Sequence, residues 1–145
     1  WHKYVTYTEG MSDYWDYSFF NVSVIRYADV LLLYAECLND KGETTEAINI
    51  INKVRARVNV PALPLTMSKA EVLKHLQDKE RPCELALEGS RWYDLVRWGI
   101  VEETLKAHNK PFVENYVDTK HQLFPIPHSE FLLNPDWEQN PNYSK

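Results

Sequence analysis

The densest set of groups able to do acid–base chemistry in this 145-residue chain lies between Glu80 and Arg97. Glu80, Arg81, Glu84, Glu88, Arg91, Asp94 and Arg97 recur at spacings that stack side chains on one face of a helix. Two carboxyls facing a cleft about 5–9 Å apart would suit glycoside hydrolysis. That chemistry needs one of them kept protonated near neutral pH. Here arginines match carboxylates almost one for one: Arg81 with Glu84, Glu88 with Arg91, and Asp94 with both Arg91 and Arg97. A neighbouring cation favours the ionised carboxylate, the opposite of what a general acid requires. Trp92, Tyr93 and Trp98 are interleaved with the charges. The cluster therefore reads as a partly buried lattice of structural ion pairs locking one helix to the next, and no catalytic residue is assigned to it.

Other reactive groups give weaker signals. The histidines, at 2, 75, 108, 121 and 128, lack metal-ligand spacing. His121 and His128 flank a proline-bound stretch too extended to bring both onto one ion. The four glycines do not cluster into a phosphate loop, and there is no Gly-x-Ser-x-Gly elbow. Neither a metal nor a cofactor is expected. Cys37 and Cys83 match neither a zinc nor a Cys-x-x-Cys pattern. Each lies in an apolar helical stretch, which predicts two buried free thiols.

Tyr14-Trp15-Asp16-Tyr17 differs in kind. Its rings lie outside any helical pattern and carry carboxylates beside them. Flat aromatic faces stack on the C–H face of a sugar, and an adjacent Asp accepts its hydroxyl protons; such mixed aromatic and polar lining is the usual plan of a ligand site. The plainer reading is that these rings are satellite core.

The elements that must position these groups follow from composition and periodicity. Apolar residues make up 44% of the chain and charged residues 26%, which excludes disorder or a low-complexity fibre. Aromatic content is 13%. The net charge of −5, with no basic run, argues against nucleic acid and anionic membrane surfaces. The longest apolar run, Val30 to Ala35, is far short of the roughly 20 residues of a membrane span. No signal peptide is present, and the chain opens at Trp1 within structured-looking sequence, so it reads as a piece of something longer.

Residues 1–22 read as extended chain and loop. From Val24 to Asn39 apolar residues fill nearly every position except a stripe of Arg26, Asp29, Glu36 and Asp40, which predicts a helix covered on most of its circumference. Gly42 stops it. Residues 45–58 carry a second stripe, Ala47, Ile50, Ile51, Val54 and Val58, and the short link predicts an antiparallel hairpin. Ser68-Lys69-Ala70-Glu71 is a capping box that starts a third helix. Its stripe continues through Leu73, Leu76, Cys83 and Leu87, with Pro82 predicting a kink or break near 79–82. Gly89 resets the chain, 90–98 form a short helix closed by Gly99, and 101–108 a further one. Beyond Pro111, prolines forbid long helices, and Leu123-Phe124-Pro125-Ile126-Pro127 must be extended.

Val24-Ile25-Arg26-Tyr27-Ala28-Asp29-Val30-Leu31-Leu32-Leu33-Tyr34-Ala35-Glu36 strongly resembles the SusD/RagB family. Three further blocks agree in order. They are Asn52-Lys53-Val54-Arg55-Ala56-Arg57, the run from Glu80 to Gly99, and Leu123-Phe124-Pro125-Ile126-Pro127 followed by Asn134-Pro135 and Gln139-Asn140-Pro141-Asn142-Tyr143. Pro82 and Cys83 depart from the family's usual basic or polar residues.

The resemblance implies a mainly α fold of tetratricopeptide-like helix hairpins with extended, irregular N- and C-terminal segments. It implies a single domain, the C-terminal part of a longer protein: an irregular aromatic segment at 1–22, a helical scaffold at 23–109 and an extended wrapping tail at 110–145. It implies a non-catalytic lipoprotein on the outer face of the outer membrane. Such a protein binds a glycan or oligosaccharide, in some members a peptide, and caps a SusC-like TonB-dependent transporter. Its contact with the membrane runs only through a lipid anchor outside this chain. Ligand contacts in the family vary and often come from aromatics upstream of the Arg-Tyr-Ala-Asp block, which here is residues 1–22, the segment that holds Tyr14, Trp15, Asp16 and Tyr17. Two other readings compete: a hairpin module that binds only protein, and a glycosidase using the Glu/Asp cluster.

Overall fold

Helix α1 (Tyr27–Asp40) starts where Arg26, held extended at φ −112° and ψ 147°, gives way to leucine-rich sequence. It is the first element of a computed structural model that describes residues 23–144. Among the described residues there is no strand, and no helix is long and apolar enough to cross a membrane. Contacts divide the chain into two units, residues 1–73 and 74–145.

In the first unit α1 packs against α2 (Thr44–Ala56) as a hairpin. Gly42, at φ +89°, takes the left-handed conformation the tight link needs, and the Glu43 N–H closes the turn on Leu38 O at 2.9 Å. The buried faces are Leu32, Ala35 and Leu38 on α1 and Ala47, Ile48, Ile50, Ile51 and Val54 on α2. Each fully buried Leu or Ile contributes about 1.5–3 kcal/mol. Helix α1 begins three residues later than its apolar run suggests, and Val24 and Ile25 are exposed. Its cover is also narrower than the sequence predicts. One face is buried, whereas Tyr27, Val30, Leu33 and Tyr34 stay exposed on another, and Cys37 with them. The thiol is thus not buried.

The capping box forms at the start of α3 (Lys69–His75). The Ser68 N–H donates to Glu71 Oε2 at 2.7 Å, and the Glu71 N–H donates to Ser68 Oγ at 3.3 Å. The Ser68 N–H, and then the Ser68 hydroxyl donating to the same Oε2 at 2.8 Å, hold the Glu71 carboxyl below its usual pKa. The buried Asn39 ties the hairpin to this start, donating to Lys69 O at 2.9 Å and accepting from Thr44 Oγ1 at 3.1 Å.

The second unit opens on a wide π turn, Leu76–Glu80, in which the Arg81 N–H reaches Leu76 O. Pro82 explains it: the ring has no N–H for the Asp78 carbonyl and would crowd it. The short α4 (Arg81–Glu84) follows and stops. A π turn holds an extra residue, so side chains after it rotate by about 100° relative to an α-helical register. Cys83 therefore leaves the buried stripe that Leu76 occupies and is exposed; Leu87 lies beyond the end of α4, at φ +67°, and is 72% exposed.

Helix α5 (Arg91–Trp98) ends at Gly99, φ +67°. The Gly99 N–H donates to Val96 O and the Ile100 N–H to Leu95 O, a Schellman closure. Helix α6 (Val101–Ala107) follows at once. Leu95, Val101 and Leu105 form the core, with Trp92, Val96, Ile100, Val113 and Tyr116 packed on it. The tail is less extended than its prolines suggest. It contains a 3-10 turn at Pro111–Asn115, α7 (Asp118–His121) and α8 (His128–Leu133), with a bend at Leu123 and no regular structure from Phe124 to Pro127 between the last two.

Candidate functional site

Glycine 89 breaks the chain between α4 and α5, and the break lets their charged residues meet. Arg81 is 3% exposed and Asp94 4%. Arg81 Nε donates to Asp94 Oδ2 at 2.8 Å, and Arg97 Nε donates to Asp94 Oδ1 at 3.0 Å. Each carboxylate oxygen thus carries a guanidinium. The Arg97 guanidinium also stands 4.4 Å from the centre of the Trp98 ring. Arg91 Nη1 donates to Gln77 O at 2.8 Å, tying α5 to the π turn. Burial shifts the Arg91 pKa down, and the nearby Asp94 and Asp78 oppose that shift. On the turn itself, His75 Nε2 lies 2.9 Å from Glu80 Oε2, both largely buried.

Buried charges persist only when paired, and here the pairing joins elements distant in sequence. Helical spacing brings Asp94 onto Arg97, but it gives no hint of Arg81 with Asp94, which lie 13 residues apart. The signal available was Gly89 followed by a new helix, which folds one segment back on the other. Asp94, with both oxygens accepting from arginine, tethers the two segments. Glu84 and Glu88 are half-buried members of the same region.

A second cluster was not legible in the sequence. The Trp92 and Tyr116 rings meet edge to face at 6.3 Å, and Tyr116 stacks on His121 at 5.7 Å. Tyr116 Oη donates to Asp118 at 2.7 Å, and the Val117 N–H donates to His121 Nδ1 at 2.8 Å. Burial, then the bond to Asp118, pushes the Tyr116 hydroxyl up to about 12. The Asp118 carboxyl is lowered by the same bond and by Gln122. Among the described residues no group of three His, Cys, Asp or Glu side chains could hold a metal ion. Tyr14, Trp15, Asp16 and Tyr17 lie outside the described residues.

Two amide side chains act as surrogate strands. Asn52 accepts from the Leu63 N–H at 2.7 Å and donates to Leu63 O at 3.1 Å, while Arg55 Nε donates to Pro61 O at 2.9 Å. Gln139 treats Ile126 the same way, accepting from its N–H at 2.8 Å and donating to its carbonyl at 2.9 Å.

This scaffold of helix hairpin, paired charges and clamped loops is that of a known class. The chain belongs to the SusD family, whose model matches residues 1–143. It is similar to the SusD-like protein P38 of Formosa agariphila, 37% identical over 130 residues, which are 85% of this chain and 25% of that protein. SusD-like protein P2 of the same organism is 31% identical over 131 residues, 85% of this chain and 26% of that protein. The crystal structure of a SusD superfamily protein from Bacteroides vulgatus superposes with a TM-score of 0.78 at 36% identity, covering 87% of this chain and 28% of that one. The chain spans about a quarter of the length of these relatives.

Proposed function

We propose that this chain is the C-terminal part of a cell-surface lipoprotein that binds a glycan and delivers it to a SusC-like TonB-dependent transporter in the outer membrane. It does no chemistry on the ligand. Membership of the SusD family across nearly the whole chain carries the reading. The engagement of Arg81, Asp94 and Arg97 with one another supports it, because groups fixed in mutual ion pairs serve as scaffold. The glycan is bound through Tyr14, Trp15, Asp16 and Tyr17. Stacking on these rings and acceptance of hydroxyl protons by Asp16 suit a neutral sugar better than an acidic one, since net charge is −5 and residues 13–17 hold no cation. One ring dominates the affinity, as in other hot spots.

Calorimetric titration of neutral oligosaccharides into wild type and Trp15→Ala tests the site: affinity falls in the variant. Equal affinity would move the site away from Trp15. Incubation with polysaccharides and detection of reducing ends tests the absence of chemistry. Turnover that disappears in Glu84→Gln or Glu88→Gln would overturn it.

A further inference from the structure

We propose that residues Gln139 to Tyr143 are a strap, a unit that fastens the Leu123–Pro127 segment by side-chain hydrogen bonds and opens without disturbing the α5–α6 core. Pro125 and Pro127 have no N–H, so this segment can join neither a helix nor a full ladder. Its backbone groups take their partners from water or from side chains. They find them in one short stretch of the tail. Gln139 takes both polar groups of Ile126, Asn140 Nδ2 donates to Phe124 O at 2.7 Å, and Tyr143 Oη donates to Leu123 O at 3.1 Å.

The strap is preformed. Tyr143 N–H bonds to Asn140 O at 3.3 Å around Pro141 and Asn142, and Asn142 sits at φ +66°. That is a type II turn, with Pro and Asn at the positions that favour them. Two contacts anchor its far end to α7: Asn142 Nδ2 donates to Thr119 Oγ1 at 3.1 Å, and Lys120 Nζ lies 4.8 Å from the Tyr143 ring centre.

The fastening is polar and little of it is buried. Leu123 and Phe124 are exposed, Ile126 is half-buried, and none of them belongs to the Leu95–Val101–Leu105 core. Segments with few buried apolar contacts open at lower free energy than the core beside them. An open strap frees a pre-extended, proline-bounded stretch carrying Leu123 and Phe124.

Amide hydrogen exchange of the full 145-residue chain tests this. Gln139→Ala speeds exchange at Ile126 by about tenfold or more, the scale of losing hydrogen bonds at one residue. The Leu95 and Leu105 amides stay within about twofold of wild type. Tyr143→Phe removes only a bond to Leu123, yet a strap acting as a unit transmits its loss, so Ile126 exchange rises by about threefold or more. The proposal is overturned if Ile126 is unchanged in Gln139→Ala. It is overturned equally if the core amides accelerate as much as Ile126, which makes the tail part of one cooperative unit, or if Tyr143→Phe leaves Ile126 at the wild-type rate, which makes the contacts independent.

Discussion

The two units reach order by different means. In the first, helices of 14 and 13 residues bury periodic apolar faces against each other, and the buried polar residue among the described ones is a neutral, hydrogen-bonded Asn39. In the second, helices of four to eight residues, cut by Pro82, Gly89 and Gly99, bury Glu80, Arg81 and Asp94 beside a smaller apolar cluster. Short helices cannot present a long apolar stripe, so directional contacts replace area. The lesson is that apolar packing tolerates local adjustment, whereas a buried ion pair fails when either partner is lost.

The comparison breaks most sharply at Asp94. Replacing Asp94 with Ala removes the Asp94 carboxylate from the buried Arg81 and lowers stability by about 3–5 kcal/mol in denaturant titration. A cost under about 1 kcal/mol would show that the second unit does not depend on the pair. Next in size is Leu32→Ala in the hairpin, expected to cost about 2–5 kcal/mol by loss of apolar burial and the cavity left behind. A marginal loss there would mean that the first unit is not held by packing.

The amide clamp sharpens the contrast, because it is a directional contact inside the packed unit. Asn52→Ala deprives Leu63 of partners for its N–H and carbonyl and should cost about 1–3 kcal/mol by the same titration. Proteolysis near residues 57–64 should speed up with it.

The smallest effect is a dependence on pH. The folded-state pKa of Glu71 lies below its ordinary value of 4.5, through the bonds from Ser68. A depressed carboxyl contributes stability that is complete above the unfolded pKa and is lost as pH falls through the folded one. The melting-temperature advantage of wild type over Glu71→Ala should therefore be full at neutral pH and narrow below about pH 4.5. An advantage that grows on acidification would reverse the sign and remove the capping box as its cause.

Much of the fold was legible because it is local. The link at Gly42, the capping box at Ser68, the stop at Gly99 and the disruption at Pro82 each depend on residues within about one turn of one another. The differences at Cys83 and Leu87 come from a period carried past the point where the backbone keeps it. The π turn displaced Cys83, and the end of α4 displaced Leu87, from a stripe that α-helical spacing draws straight through them. The apolar company Cys37 keeps in sequence points to the interior, yet hairpin packing covers only one face of α1 and leaves the thiol exposed.

The sequence by itself determined the class of fold, the family and most element boundaries, since propensity, capping and periodicity act over a few residues and four ordered blocks carry the likeness. Only the tertiary structure decided which charge meets which. Arg81 with Asp94, Asn52 with Leu63 and Gln139 with Ile126 join residues 11 to 13 apart in sequence. No helix or single strand brings residues so far apart in sequence into contact. Turns and breaks set them, and a side chain finds its partner only after the chain between has folded back.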